Sequence, residues 1–209
     1  VAIGEVGLDY YRNHAAPDDQ RALFRAMISL HTETGLPLIL HARDSYTDLF
    51  RMLREMLTPP VRGVLHCFSG DRTVLREAQE LGLYISFTGA LTYKKNDELR
   101  FCAAEVSDER LLLETDCPFL APEGYRGKRN EPAYITKNAE LLASLRGVSV
   151  DDIGRITTTN CAALFGFPPL AQPPAITYKI RESLYINVTM QCTNACTFCI
   201  RNYSDMVKG

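Results

Sequence analysis

Four short apolar segments of this chain are each followed by a carboxylate or an imidazole. The four side chains are those of Glu5, His41, His66 and Asp116. Carboxylate oxygens and imidazole nitrogens together suit a divalent metal such as Zn, Mn or Mg. A single histidine or carboxylate at such a position is more often structural, but two buried imidazoles near two carboxylates need a partner, and a metal supplies one. We therefore predict a site for one or two divalent ions.

Parallel strands would bring these residues together. The apolar segments are Ala2–Leu8, Pro37–His41, Val61–Cys67, Leu83–Phe87 and Arg110–Glu114. Each is almost continuously apolar, which is typical of strands in a parallel sheet buried on both faces. The carboxyl ends of such strands lie at one edge, where (β/α)-barrel active sites are assembled, so residues remote in sequence would converge there.

Amphipathic segments between the strands predict helices, and hence an α/β fold with right-handed crossovers. The first helix follows Pro17 and ends before Gly35. Its apolar stripe consists of Leu23, Phe24, Met27, Ile28 and Leu30. The other helices are predicted at Tyr46–Leu57, Arg72–Leu81, Lys95–Val106, Pro132–Arg146 and Val150–Phe165. Ser149 and Asp152 predict an acidic variant of the capping box at the start of the last helix.

The composition predicts a soluble globular protein of one or two domains. The chain has 209 residues, 46% of them hydrophobic and 23% charged, and a net charge of -2. This near balance argues against a protein that coats nucleic acid by bulk electrostatics. No apolar segment approaches the ~20 residues that span a bilayer. Four of the seven cysteines are scattered singly, which favours a reducing compartment, and we expect a cytoplasmic location.

The C-terminal part has a different character. Proline-rich residues 167–182 predict an extended linker, and Ser183–Met190 predicts a strand. Cys192, Cys196 and Cys199 follow with the spacing Cys-x3-Cys-x2-Cys. Three thiolates so spaced can ligate three irons of a [4Fe–4S] cluster and leave the fourth iron open. The alternatives are a zinc knuckle that lacks its fourth ligand, or a chance spacing.

Five segments resemble, in order, the signatures of the TatD family of metal-dependent deoxyribonucleases. They are Gly4–Asp9, Leu40–Arg43, His66–Gly70, Glu114–Pro118 and Arg126–Pro132. The resemblance covers residues 1–166 and implies a TIM-like (β/α) barrel of the amidohydrolase-like type. It also implies a hydrolase with one or two divalent metals that acts on DNA, as single strands or at strand ends.

The resemblance further implies the roles of the four candidate ligands. Glu5 would bridge two metals, and His41 and His66 would complete the shell of one of them. Asp116 would bind the other metal and take the proton from the attacking water. Such an arrangement suits the chemistry, since a metal-bound water has a lowered pKa and a neighbouring carboxylate can accept its proton.

Basic side chains near the predicted active edge are candidates for contacts with substrate phosphates. They are Arg43, Lys94, Arg126, Lys128 and Arg129. A guanidinium suits a phosphate because it donates two parallel hydrogen bonds. Away from a metal site, a run such as Arg126–Arg129 would indicate a solvated basic loop; beside Asp116 we favour substrate binding.

One departure from the family pattern concerns its first strand, which carries a His-x-His pair. The chain contains only His14, His31, His41 and His66, and no two of them are separated by one residue. The Asp116 metal is therefore left with too few ligands. A closed barrel also needs eight strands and ~250 residues, against five predicted strands here. We expect that the barrel lacks its first strands and that the chain as given is inactive.

The cysteine spacing is in turn similar to the radical-SAM signature. This resemblance implies a cluster whose open iron binds S-adenosylmethionine. Residues 183–209 would be the start of a radical-SAM domain, joined to the TatD-like residues 1–166 by the linker at residues 167–182. The whole would then be a TatD-linked radical-SAM protein.

The leading hypothesis is a metal-dependent hydrolase of phosphodiesters, with DNA ends as the substrate. One alternative is a hydrolase of the same mechanism that acts on another ester or amide. A second is a radical-SAM oxidoreductase in which the barrel is a substrate-binding partner. A third is a piece prone to misfold, because five strands leave sheet edges unpaired.

Overall fold

The computed structural model describes residues 1–12, 14–168, 177–180 and 183–186. The chain divides into two compact units, Val1–Phe167 and Pro168–Gly209. The strands of the first unit are β1 (Ile3–Asp9), β2 (Leu38–Arg43), β3 (Gly63–Leu65), β4 (Tyr84–Phe87) and β5 (Leu111–Leu113). Its helices are α1 (Pro17–Thr34), α2 (Tyr46–Met56), α3 (Arg72–Glu80), α4 (Asp97–Glu105), α5 (Ile135–Arg146) and α6 (Val150–Phe165).

The five strands form one parallel sheet in the order β1-β2-β3-β4-β5. The predicted parallel α/β arrangement is thereby confirmed. Within the described part of the chain this sheet is open, with β1 and β5 at its two edges.

The outer face of the sheet packs against helices and forms the main core. Leu38, Leu40, Leu65, Ile85 and Phe87 are buried there. These residues alternate along their strands with residues of the opposite, inner face, as the two-residue period of a strand requires. Removing these aliphatic and aromatic groups from water is the main source of the free energy that stabilises the sheet against its helices.

Helix α1 contributes a narrower apolar face to this core than its sequence predicts. Phe24 and Ile28 are buried, one turn apart. Leu23 and Leu30 belong to the predicted stripe, but they are 63% and 38% exposed. The prediction was wrong for these two because a helix that packs on one sheet buries only the residues nearest its contact line.

Helix α6 covers the amino-terminal half of the inner face. Leu164 packs there with Val64, Tyr84 and Leu112. The Arg62 guanidinium donates to the Leu164 carbonyl at 3.0 and 2.8 Å. The predicted capping box is present at the other end of α6, where Ser149 and Asp152 exchange side-chain and backbone hydrogen bonds.

Most predicted element boundaries differ from those of the structure by one to three residues. Strand β3 ends at Leu65 rather than at Cys67, whose φ of 49° lies outside the extended region. Helix α5 begins at Ile135, after a single 3₁₀ turn at Pro132–Tyr134.

The helices of the described residues include none with the length and apolar character that crossing a membrane requires.

The second unit contains an antiparallel pair of strands, β6 (Thr177–Ile180) and β7 (Ser183–Ile186). The strand predicted at Ser183–Met190 is thus present over its first four residues. Cys192, Cys196 and Cys199, the predicted cluster ligands, lie outside the described residues.

Candidate metal centre

A bulge in β1 places Glu5 on the inner face of the sheet. Ile3 pairs with Leu38, and Val6, three residues further on, pairs with Leu40, which is only two residues beyond Leu38. The extra residue reverses the alternation, so that Glu5 shares the inner face with the β2 residue His41. Glu5 lies inside β1, and the bulge lets it point towards the cluster.

Gly7 allows β1 to run very close to the backbone that carries His41. Its φ is 142°, and a Cβ atom on it would lie 2.0 Å from the His41 carbonyl oxygen. Only glycine tolerates both the backbone conformation and the close approach. This contact sets the spacing of β1 and β2 directly beside the candidate ligands.

Glu5, His41 and His66 form a cluster that could hold a metal ion. One ligand atom of each lies within 4.8 Å of the others. His41 Nδ1 is 3.2 Å from His66 Nε2, and His66 Nε2 is 3.4 Å from Glu5 Oε2. Two imidazole nitrogens and a carboxylate oxygen that face one point are the donor set that divalent zinc or manganese accepts. The three residues therefore fit the predicted metal.

Each imidazole of the cluster has a second carboxylate behind it. Asp9 Oδ2 lies 3.3 Å from His41 Nε2, and Glu114 Oε1 lies 3.8 Å from His66 Nδ1. Glu114 also accepts a hydrogen bond from the backbone N–H of Cys67. Both nitrogens point away from the centre of the cluster. The sequence alone assigns these two acids no role, because only the pairing of strands brings them behind the histidines.

The surroundings shift the pKa values of these carboxyl groups in different directions. Burial raises the pKa of Asp9, but hydrogen bonds from the backbone of Arg12, from His41 and from the backbone of Tyr11 outweigh it, so the pKa lies below its usual value. Burial raises the pKa of Glu114. Burial also raises the pKa of Asp116, and the negative charge of Glu5 raises it further.

The cluster faces a cavity of about 470 Å³ at the carboxyl ends of the strands. Asp116 lines this cavity together with Glu5, His41 and His66. It lies outside the three-residue group whose ligand atoms meet within 4.8 Å. The structure therefore brings the four predicted ligands to one cavity and gathers three of them around one point.

The predicted phosphate-binding residues fall into three groups. Arg43 lines the metal cavity, with its guanidinium carbon 3.8 Å from the centre of the Tyr11 ring. Lys94 and Arg126 line a separate cavity of about 420 Å³. Lys128 and Arg129 are exposed and line neither cavity.

Phe119 lines the metal cavity and was missed by sequence reasoning. It lies in the loop after β5, three residues beyond Asp116, and is 69% exposed. A phenylalanine in a loop has no periodicity that marks it as functional. The available signal was its place between the segment Glu114–Pro118 and the basic loop.

Comparison with known proteins places these features in a family. Residues 1–166 match the family model described as TatD related DNase. The chain is 43% identical over 165 residues to a metal-dependent hydrolase of Bacillus subtilis, YabD, described as uncharacterized. It is 39% identical over 171 residues to a protein of Klebsiella pneumoniae named 3'-5' ssDNA/RNA exonuclease TatD. Each alignment covers 79% of this chain.

Solved structures agree with this match. The TatD homolog YJJV of Escherichia coli superposes with a TM-score of 0.75 at 32% identity, over 80% of this chain and 64% of that one. A TatD family hydrolase of Entamoeba histolytica gives a TM-score of 0.73 at 27% identity, over the same shares. The chain spans 65% of the length of the Bacillus subtilis and Klebsiella pneumoniae relatives. By its sequence and by its fold, the chain belongs to the TatD family of metal-dependent hydrolases.

Proposed function

We propose that the first unit belongs to a divalent-metal-dependent exonuclease that cleaves phosphodiester bonds of single-stranded DNA. The observation that carries this proposal is the meeting of Glu5, His41 and His66 in a cavity that also contains Asp116 and Arg43. The relative named as an exonuclease of single-stranded DNA and RNA supports the same substrate class.

The residues of the cavity have distinct tasks in the proposed reaction. Glu5, His41 and His66 would hold the ion, which would supply Lewis acidity and offset the charge of the phosphate. Asp116 lines the same cavity and would accept the proton of the attacking water. The Arg43 guanidinium, fixed by its stacking on Tyr11, donates hydrogen bonds to phosphate oxygens.

Cleavage of a labelled single-stranded oligonucleotide by the full-length protein tests this proposal. With Mg²⁺ or Mn²⁺ present, Glu5→Gln and Asp116→Asn should each lower the rate at least about 100-fold, as expected for the loss of a metal ligand or a general base. Glu33→Gln removes an exposed carboxylate of α1 and should leave the rate unchanged. Equal rates in all four proteins would refute the assignment of the site.

Metal binding gives a test that does not depend on turnover. We expect the 209-residue chain to retain a divalent ion after dialysis and Glu5→Gln to lose it.

The alternative is a hydrolase of the same mechanism that acts on another ester or amide. Hydrolysis of a simple carboxylic ester but of no phosphodiester by the full-length protein would favour it.

We propose in addition that Cys192, Cys196 and Cys199 ligate a [4Fe–4S] cluster that binds S-adenosylmethionine. The support is their spacing alone, since these residues lie outside the described part of the chain. Anaerobic reconstitution with iron and sulfide should give a broad visible absorbance that Cys196→Ala removes.

A cytoplasmic location stays a prediction. Cys67, Cys102, Cys117 and Cys161 are free thiols, which is consistent with a reducing compartment.

A further inference from the structure

Phe119 presents its ring to solvent at the metal cavity. Its 69% exposure is larger than that of the other exposed aromatic residue near the site, Tyr11, which is 62% exposed. A single exposed apolar residue on a protein surface is normal and needs no functional explanation. Phe119 differs because it lines the same cavity as the candidate ligands Glu5, His41 and Asp116.

The backbone around Phe119 is fixed by a buried side chain. Asn130 is 2% exposed, and its Nδ2 donates to the carbonyl oxygens of Thr115 and Phe119 at 2.8 and 2.5 Å. The Phe119 N–H in turn donates to the Asp116 carbonyl oxygen at 2.9 Å. These bonds fix the Phe119 backbone relative to Asp116.

The loop that carries Phe119 also packs tightly on the end of β4. A Cβ atom on Gly89 would lie 2.3 Å from the Leu120 carbonyl oxygen, so no larger residue fits there without a shift of the loop. Asp116 and Leu120, on either side of Phe119, have φ values of 55° and 53°, which non-glycine residues rarely adopt. The loop that exposes the Phe119 ring is thus tightly held.

The same cavity also contains two basic side chains. Arg12 and Arg43 line it, and the Arg43 guanidinium is stacked on Tyr11. These guanidinium groups could bind the anionic part of a ligand. A planar, apolar group attached to that anion would then lie in the same cavity as Phe119. A nucleotide combines these two properties, a phosphate and a base with exposed faces.

We propose that Phe119 stacks on the nucleobase next to the phosphate that is cleaved. Stacking on an aromatic ring tolerates any base, because every base has a π-face. It requires a base that has left its own stack, so the site would select the unpaired end of a single strand. This inference rests on the proposed function, since a base reaches Phe119 only if the cavity takes nucleic acid.

A two-by-two binding experiment on the full-length protein isolates the stacking contact. The protein variants are wild type and Phe119→Ala, and the ligands are a short single-stranded oligonucleotide and the same strand with abasic residues at its last two positions. Binding is measured by fluorescence anisotropy with Ca²⁺ as the divalent ion. We expect Phe119→Ala to weaken binding of the normal strand about tenfold, within the range for loss of one stacked base, and to leave binding of the abasic strand unchanged.

Two further variants control for a structural effect. Phe119→Trp keeps an aromatic face and should restore affinity for the normal strand. Leu23→Ala removes an exposed apolar side chain from α1 and should change nothing. Equal weakening of both strands by Phe119→Ala, or no weakening of either, would overturn the stacking role alone. Failure of the wild type to bind either strand would overturn both this inference and the proposed function.

Discussion

The two imidazoles of the candidate metal centre are each backed by a carboxylate. Asp9 faces the outer nitrogen of His41, and Glu114 faces that of His66. A histidine that binds a metal commonly donates its other N–H to a carboxylate, which sets the tautomer and makes the ligating nitrogen more basic. Asp9 is itself held by N–H groups of Tyr11 and Arg12 at 3.0 and 2.9 Å. We infer that both acids position the ligands rather than bind the ion.

Asp9→Asn and Glu114→Gln should each weaken metal binding about 10- to 100-fold, the usual effect of removing such a partner. Titration with Co²⁺, followed by its visible absorption and by competition with a chelator, measures the affinity. Glu33→Gln serves as the matched control and should bind Co²⁺ like the wild type. Unchanged affinity in both variants would show that the two carboxylates have no positioning role.

At the scale of elements, the position of β1 is set by its contacts with β2, α1 and α2. Its bulge turns Glu5 inwards, and Gly7 permits the close approach to the backbone of His41. Beyond its end, the Tyr10 hydroxyl donates to Asp48 of α2 at 2.5 Å, and Arg21 of α1 donates to both groups at 3.0 and 3.1 Å. This network holds the strand end that carries Asp9.

Gly7→Ala should lower the free energy of unfolding by more than about 1 kcal/mol, because the new methyl group would overlap the His41 carbonyl and strain the backbone. Gly154 in α6 offers a matched control, since a Cβ there meets no atom within 4 Å. Gly154→Ala should stabilise the chain by about 0.5–1 kcal/mol through higher helix propensity. Urea unfolding measures both; equal effects of the two substitutions would contradict the role of Gly7.

The Tyr10–Arg21–Asp48 network predicts a pH-dependent contribution to stability. Hydrogen bonds from Tyr10, Arg51 and Arg21 lower the pKa of Asp48 to about 2. Because the folded pKa lies below the unfolded value of about 3.9, the contribution is fully present above that value. It is lost as the pH falls through about 2.

Asp48→Asn should therefore destabilise the chain by about 1 kcal/mol at pH 7, as is typical of a partly exposed ion-pair network. The difference from wild type should shrink as the pH is lowered towards about 2. Urea unfolding at several pH values measures this, with Asp151→Asn, an exposed position of α6, as the control. A difference that is independent of pH would exclude a charge effect.

At the scale of the whole molecule, the chain carries almost no net charge that could attract nucleic acid. The net charge is only -2. Three of the five basic candidates nevertheless line cavities, Arg43 in the metal cavity and Lys94 and Arg126 in the second cavity. Affinity for nucleic acid would then come from a few local contacts, each of which contributes to the salt dependence of binding.

Lys94→Gln and Arg126→Gln should each reduce the slope of log affinity against log salt by about 0.7 if the residue contacts a phosphate of a single strand. Fluorescence anisotropy at several salt concentrations gives this slope for the full-length protein. Arg25→Gln, at an exposed position of α1, should leave it unchanged. A slope that is the same in all variants would mark the second cavity as unrelated to substrate binding.

Local patterns were enough to predict most of the elements of the first unit. Continuous apolar runs identified β1 to β5, and the capping box at Ser149 identified the start of α6, since both signals depend on residues close in sequence. The residue types that could bind a metal were visible for the same reason. The breadth of the α1 stripe was wrong at Leu23 and Leu30, because their exposure depends on where the helix meets the sheet.

What the sequence determined by itself is thus the order of strands and helices and the identity of the candidate ligands. The tertiary structure alone decided which of them meet: the bulge that turns Glu5 inwards, the carboxylates behind the two histidines and the loop that exposes Phe119. The physical reason is that register, close backbone approach and buried hydrogen bonds such as those of Asn130 join residues remote in sequence. Their geometry exists only once the strands have paired and the loops have packed on them.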